Sequence, residues 1–488
     1  MSIARQAAHG VAWNMLFGIS SRMVQLVGTL ILTRIIAPDE YGSVIAASIV
    51  VVTAGVFVSF AFGQYLIAKR APPEIASQAM VVHIGVGLIA MAVVYELRYP
   101  LGEFFGTPVT GRYVPYFAIA LTLDRARYIP ERLLLRALRF RTVAAINATC
   151  ELTYMAGALA TARMWGPNAI VFGALVRSSL GFVLYLYASP RREWMVRARL
   201  RVADVRDLLS YGLPIMISSI SDQLATRCDN LIMSKLFGPG VMGRYNLSYS
   251  LAEMPVNAIA VQIGDVLMPA FSKMEDEQRR GAVVRAASLM SLIVSPLGVG
   301  LAAVAPTVVG TFFNDKWGPA MAPMLAILST TAVVRPMTWS AMAYLQAVQK
   351  TRLLMYASLL RAIGVLSIVA AFGAFFDEDW ACVGSAIGFT AHTVVTIIAA
   401  GRTAGFDAGA YLLGVARPLL PCIPMFLAVL GLERGLAATA VPLPISLVAQ
   451  IAGGAIVYVG AAFLLIRETV REVLRLGREA LGRRRRGG

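Results

Sequence analysis

Charge is scarce in this chain. Asp, Glu, Lys and Arg make up 15% of its 488 residues, against about a quarter in soluble proteins. With a hydrophobic share of 58% and a mean hydropathy of +0.69, that scarcity argues against an ordinary globular enzyme. Cysteine and histidine are rare as well. Cys150, Cys228, Cys382 and Cys422 stand singly in apolar surroundings, without metal or redox spacing, and are expected to be packing residues. His9, His83 and His392 are scattered and suggest neither a metal site nor a catalytic triad. There is no Walker loop and no G-x-G-x-x-G after a strand, so neither ATP hydrolysis nor a catalytic residue is expected within the chain.

What the chain does have is apolar length. Runs of membrane-crossing size fall near 9–33, 42–66, 79–97, 112–130, 142–163, 168–188, 210–234, 243–268, 284–309, 319–345, 354–376, 380–400, 411–432 and 441–466. Each can cross a hydrocarbon core of about 30 Å. Backbone in lipid must satisfy its own hydrogen bonds, so the runs are predicted to be helices. The first is too long for a cleavable signal and leads directly into further spans. An all-α polytopic membrane protein of about 14 transmembrane helices is the expected fold class.

The net charge of +17 follows topology rather than nucleic acid. With the N-terminus inside, 28 of the 44 Lys and Arg fall in inner loops and tails, eight in outer loops and eight within spans. This is the positive-inside pattern, and it predicts that both termini are cytoplasmic. The tail at 467–488 is strongly basic, which suits a solvated flank or attachment to anionic lipid. Outer loops are short. The longest, 97–112, could not house a catalytic domain.

One sentence is written twice, 201 residues apart: LTRIIAPDEYG from Leu32 and MSKLFGPGVMG from Met233. Arg34 answers Lys235, Pro38 answers Pro239, Gly42 answers Gly243 and Gly63 answers Gly264. Duplicated helical bundles are a common transporter plan, with the substrate site at the repeat interface. The expected division is an N-lobe at 1–188, a cytoplasmic amphipathic linker at 189–209, a C-lobe at 210–400, an added helix pair at 401–466 and the tail at 467–488. The linker is read as an interfacial helix.

Charges inside spans are costly, about 2.5–3.5 kcal/mol at mid-bilayer, and so face protein or water. The first span carries Asn14, Gly18, Ser21 and Gln25 on one face, flanked by Arg22. The seventh repeats the stripe as Ser218, Asp222, Thr226 and Asp229, with Ser21 matching Asp222 and Gln25 matching Thr226. Either these stripes border a water-filled cavity, or they glue helices together. Seven arginines lie within spans around them: Arg22, Arg125, Arg127, Arg177, Arg227, Arg335 and Arg361. Asp124 stands three residues before Arg127 and neutralises one charge locally. A surplus of guanidinium suits an anion, since its fork matches phosphate oxygens. About half of these arginines are expected to line the cavity. The predicted binding set is Arg22, Gln25, Arg127, Arg177, Arg227, Arg335 and Arg361. Acidic residues cluster in spans seven and eight: Asp222, Asp229, Glu253 and Asp265, with Tyr249, Glu253 and Asn257 at four-residue steps. Two readings stay open for them. Asp222, Asp229 and Glu253 form a cation or proton site, or the carboxylates pair with Arg227, Arg335 or Arg361.

WNMLFGISSRMVQLVGTLILTRIIAPDEYG at Trp13, PERLLLRALRFR at Pro130, DNLIMSKLFGP at Asp229, GRYNLSYSLAEMP at Gly243, LMPAFSKM at Leu267 and NDKWGPA at Asn314 resemble one family. It is the Wzx-type polysaccharide-transporter branch of the multidrug/oligosaccharidyl-lipid/polysaccharide (MOP) flippase superfamily. The resemblance covers the chain to about residue 400. It implies a MOP/MATE-like pair of pseudo-symmetric six-helix lobes that alternate between inward- and outward-facing states. The implied location is the bacterial inner membrane. The implied substrate is a polyprenyl-pyrophosphate-linked oligosaccharide, flipped outward for exopolysaccharide, O-antigen or capsule synthesis without a cofactor. A sodium or proton gradient is the candidate energy source, and a polysaccharide polymerase and export machinery are the candidate partners. Related lipid II flippases set an extra helix pair beside the gap through which the lipid tail leaves, and spans thirteen and fourteen suit that place. Two alternatives compete. A cation-coupled multidrug exporter would need an acidic, aromatic cavity. A membrane polymerase would need a larger outer loop than Asp377, Glu378 and Asp379 provide.

Overall fold

The structure, a computed structural model, describes residues 24–471 apart from the single positions 138, 273, 349 and 440. Among the described residues there are helices and no strands. The chain separates into two compact units, with the division after Gly243.

The first unit holds α1, described over Val24–Ile35, then α2 (Pro38–Val56), α3 (Phe62–Ala68), α4 (Pro73–Glu96), α5 (Arg98–Phe104), α6 (Val114–Arg136), α7 (Phe140–Trp165), α8 (Asn168–Ala188) and α9 (Val202–Phe237). Local chemistry starts α2. Pro38 occupies its first turn, and the Glu40 carboxylate accepts from the Ala37 N–H at 3.3 Å, which satisfies a donor the helix start leaves open. Packing is closest along α7–α8, α6–α8, α4–α6 and α2–α9.

The second unit holds most of α10 (Pro239–Ser272), then α11 (Asp276–Phe312), α12 (Gly318–Met337), α13 (Trp339–Ala347), α14 (Thr351–Phe375), α15 (Glu378–Ala404), α16 (Ala408–Ala416), α17 (Cys422–Ala437) and α18 (Leu443–Leu465). Asp377 caps α15, accepting from the N–H groups of Asp379 and Trp380 at 3.1 and 3.0 Å. The acidic run at 377–379 therefore includes a helix start. The added helices α16, α17 and α18 all pack on α11.

Nine helical stretches among the described residues are long and apolar enough to cross a membrane. The other five expected spans fall on α1, described only in part, and on α6, α7, α9 and α10, which have 23, 26, 36 and 34 residues. Those four are long enough, but they carry the intramembrane charges that lower their hydropathy. Charged positions inside spans, on these four helices and on the apolar α8, α12 and α14 alike, are the ones to search for function.

The repeated motif has a structural reason. A β-carbon on Gly42 would stand 1.8 Å from the Pro239 carbonyl oxygen, and one on Gly243 would stand 2.4 Å from that of Pro38. The two copies of Pro-x-x-x-Gly thus pack backbone to backbone, and only glycine permits that approach.

The stretch at 189–209 differs from the interfacial helix expected for it. A 3₁₀ turn covers Arg191–Glu193, the chain is then non-helical to Arg201, and α9 begins at Val202. Trp194 explains this. It is buried in a cluster with Phe62, Tyr65, Leu66, Leu133 and Leu208. The strand-like stretch is pinned by side chains: Ser77 Oγ donates to the Val196 carbonyl at 2.8 Å and the Arg201 N–H donates to Gln78 at 3.2 Å. Gln78 in turn donates to Asp204 at 2.9 Å, and Arg136 pairs with Glu193 at 3.2 Å. Fixed partners have replaced the helical hydrogen bonds.

Candidate functional site

In the first unit a polar cavity of about 140 Å³ opens between α1, α2, α6, α7 and α8. Its polar wall is Gln25, Ser48, Asp124, Tyr154 and Arg177. The volume far exceeds the ~10–15 Å³ that one water needs.

Asp124 is the hub of this wall. It accepts from Arg127 Nε at 2.8 Å and from Ser178 Oγ at 3.1 Å, and Arg177 stands 3.9 Å from its second oxygen. Arg127 is thus engaged behind the wall, with its guanidinium 5.5 Å from the centre of the Tyr185 ring. Arg177 differs. It lies 3.5 Å from Glu151 and 5.7 Å from the Tyr154 ring centre, yet it donates no hydrogen bond among the described residues, and its buried Nε has no partner. Contacts of 3.5–3.9 Å attract electrostatically but spend little of a guanidinium's donor capacity. The cavity therefore presents a cation that is held in place and still able to donate.

Arg125, the neighbour of Asp124 in sequence, faces elsewhere. It is 6% exposed, donates through Nη2 to the Gly55 carbonyl, and leaves Nε and Nη1 buried without partners.

On α9 the predicted stripe divides. Asp222 and Arg227 are exposed, whereas Asp229 is fully buried. Its Oδ1 accepts from both the backbone N–H and the side-chain amide of Asn230, at 2.8 and 2.9 Å. Arg22, Asn14, Gly18 and Ser21 lie outside the described residues.

The second unit has a separate cluster. Arg335 pairs with Glu253 through Nη1, which also donates to the Tyr249 hydroxyl at 2.7 Å. The guanidinium stands 5.1 Å from the centre of the Phe389 ring. Arg335 and Glu253 side chains are 20% and 23% exposed, so this pair is largely enclosed. Arg361 is half-buried on α14.

The structure brings Gln25 and Arg177 to one cavity and sets Arg127 behind it. Arg335 and Glu253 meet in the other unit. An arginine surplus was expected, but the first cavity is balanced: Arg127 and Arg177 face Asp124 and Glu151. Glu151 had been overlooked. A lone carboxylate in the apolar run 142–163 is itself a signal.

The comparisons with known proteins agree with this architecture. A family profile described as polysaccharide biosynthesis protein matches residues 31–322. The lipopolysaccharide biosynthesis protein WzxC of Escherichia coli is 24% identical over 340 residues, covering 69% of this chain and 68% of that protein. The succinoglycan biosynthesis transport protein ExoT of Rhizobium meliloti is 23% identical over 491 residues, covering 97% and 96%. Among solved structures, the lipid II flippase MurJ in an inward closed conformation has a TM-score of 0.76 at 12% identity, over 96% of this chain and 100% of that one. An inward-facing multidrug resistance MATE transporter of the MOP superfamily has a TM-score of 0.61 at 14% identity, over 82% and 98%. These structures show a shared MOP-type fold, and the profile match across more than half of the sequence shows that the chain belongs to the polysaccharide biosynthesis protein family.

Proposed function

We propose that this multi-pass membrane protein is a flippase. It carries a polyprenyl-diphosphate-linked oligosaccharide from the cytoplasmic to the outer leaflet of the bacterial inner membrane, with both termini cytoplasmic. One observation carries the reading: Arg177 lines an intramembrane cavity with its donor capacity unspent. A diphosphate would take bidentate hydrogen bonds from Arg177, which Glu151 and Asp124 only hold in place. Partial neutralisation lowers the cost of moving the headgroup through the low-dielectric interior. The relatives named for lipopolysaccharide and succinoglycan biosynthesis support the substrate class.

Arg22 and Arg227 extend the proposed anion path, with Gln25 and Arg127 shaping its first station; Arg361 is a further candidate contact, whereas Arg335 is taken up by Glu253 and Tyr249. Asp222 and Asp229 are the proposed coupling carboxylates for a sodium or proton gradient, since Glu253 is engaged by Arg335. The apolar cavity of about 420 Å³ walled by α10, α11, α17 and α18 suits one segment of the hydrocarbon tail, the rest of which stays in the bilayer. Once flipped, the oligosaccharide passes to a polysaccharide polymerase and export machinery.

The test is genetic. A cell lacking this protein should accumulate a complete lipid-linked oligosaccharide on the cytoplasmic side, and the wild-type gene should clear it while Arg177→Ala should not. Accumulation of an incomplete oligosaccharide would point to an enzyme instead. Asp124 and Glu151 give some support to a second reading, export of cationic compounds. Efflux of a cationic dye that is lost in Glu151→Gln would favour it.

A further inference from the structure

A second cavity in the first unit has different chemistry. It measures about 570 Å³ and lies between α2, α4, α5 and α9. Its lining is nearly all hydrocarbon, including Val50, Val86, Val94, Leu101, Leu224 and Leu231. Its one hydroxyl, on Thr53, is already engaged by Gln223 Nε2 at 3.1 Å. The slot is open on one side. Phe57, Ile89 and Val93 line it and are 49%, 67% and 51% exposed. Ile89 and Val93 lie on α4 and Phe57 directly follows α2, two helices of membrane-crossing length and hydropathy. Exposed apolar side chains on helices of this kind meet hydrocarbon, which is then what reaches the slot.

The junction beside the slot is not apolar. Phe105 lines the slot beside the α5–α9 junction, where Ser234 Oγ donates to the Phe105 carbonyl at 2.7 Å. The next residue, Lys235, is exposed, and its ammonium lies 3.7 Å from the centre of the Phe104 ring. No carboxylate pairs with it among the described residues. An aromatic face holds the cation at this junction without neutralising it. An apolar slot with an unneutralised cation on the adjoining junction is complementary to an amphiphile: one chain inside, one negative group beside it.

We propose that this slot binds an acyl chain of an anionic membrane phospholipid, with the lipid phosphate at Lys235. The cavity is of acyl-chain size, too short to enclose a long polyprenyl chain. It is also separate from the cavity at Arg177, so the proposal stands or falls independently of the flippase reading.

The full-length protein, stripped of lipid in detergent, would be titrated with phosphatidylglycerol, phosphatidylcholine and a polyprenyl phosphate, with bound lipid counted by native mass spectrometry. Phosphatidylglycerol is expected to bind the wild type more tightly than the other two. Lys235→Gln should weaken phosphatidylglycerol about fivefold, the equivalent of one lost surface cation, and leave phosphatidylcholine unchanged. Ala90→Phe, which fills the slot, should abolish the bound species. Equal binding of phosphatidylglycerol and phosphatidylcholine by the wild type, an undiminished affinity in Lys235→Gln, or preferred binding of polyprenyl phosphate would each overturn the assignment.

Discussion

The two units each bury arginine against carboxylate, but they do so to opposite effect. In the second unit, Arg335 is held by Glu253 and Tyr249 from its own surroundings. In the first, Asp124 is committed to Arg127 and Ser178, so Arg177 is left with contacts of 3.5 and 3.9 Å and an unpartnered Nε beside a cavity. The charge types match, and what differs is how much donor capacity the protein consumes itself. A close pair contributes to structure, whereas a cation with only long contacts and a buried unpartnered donor can take a ligand.

That contrast can be broken at four points. Glu253→Leu would strand the Arg335 cation in a mostly enclosed site. Fully buried cases cost 3–5 kcal/mol, and the residual exposure lowers the expected loss here to about 2 kcal/mol. The double variant Arg335→Met, Glu253→Leu should recover most of it in thermal unfolding. If the single and double variants unfold alike, the pair is not self-contained. Arg177→Ala should act on transport instead, reducing export about tenfold, or about 1.4 kcal/mol, at unchanged membrane abundance. Loss of abundance would make it structural, like Arg335. Arg125→Met removes a buried charge that has two unmet donors and no carboxylate, so it should raise stability by about 1 kcal/mol. A lowered melting temperature would show that the charge is compensated. Smallest of the four, Tyr249→Phe removes the hydrogen bond that Arg335 donates to the Tyr249 hydroxyl and should cost about 1 kcal/mol, with export unaltered.

Much of the fold was legible in the sequence. Apolar run length located the helices, and the 201-residue register singled out Gly42 and Gly243, whose close approach is seen between the two motif copies. The candidate site was legible only in part. Arg125, Arg127 and Arg177 look alike in sequence, as cations inside apolar runs. They are separated by facts of packing: Arg127 meets a carboxylate one turn away, Arg125 is sealed under Gly55, and Arg177 reaches Glu151 only because α7 lies along α8. Glu253 and Arg335, 82 positions apart, likewise meet through tertiary contact alone. Local spacing sees (i, i+3) neighbours such as Asp124 and Arg127 and has no view of such pairs. The stretch at 189–201 escaped for a related reason. Its amphipathic composition suits a surface helix, but Trp194 finds a buried cluster and the backbone finds side-chain partners instead.

The account rests on Arg177 receiving a negatively charged headgroup. The direct measurement is equilibrium binding of a polyprenyl diphosphate to the purified protein, wild type against Arg177→Ala, with Arg335→Met, Glu253→Leu as the control. Binding weakened about tenfold in the first variant and unchanged in the control is the predicted result. Wild-type affinity in Arg177→Ala would contradict it.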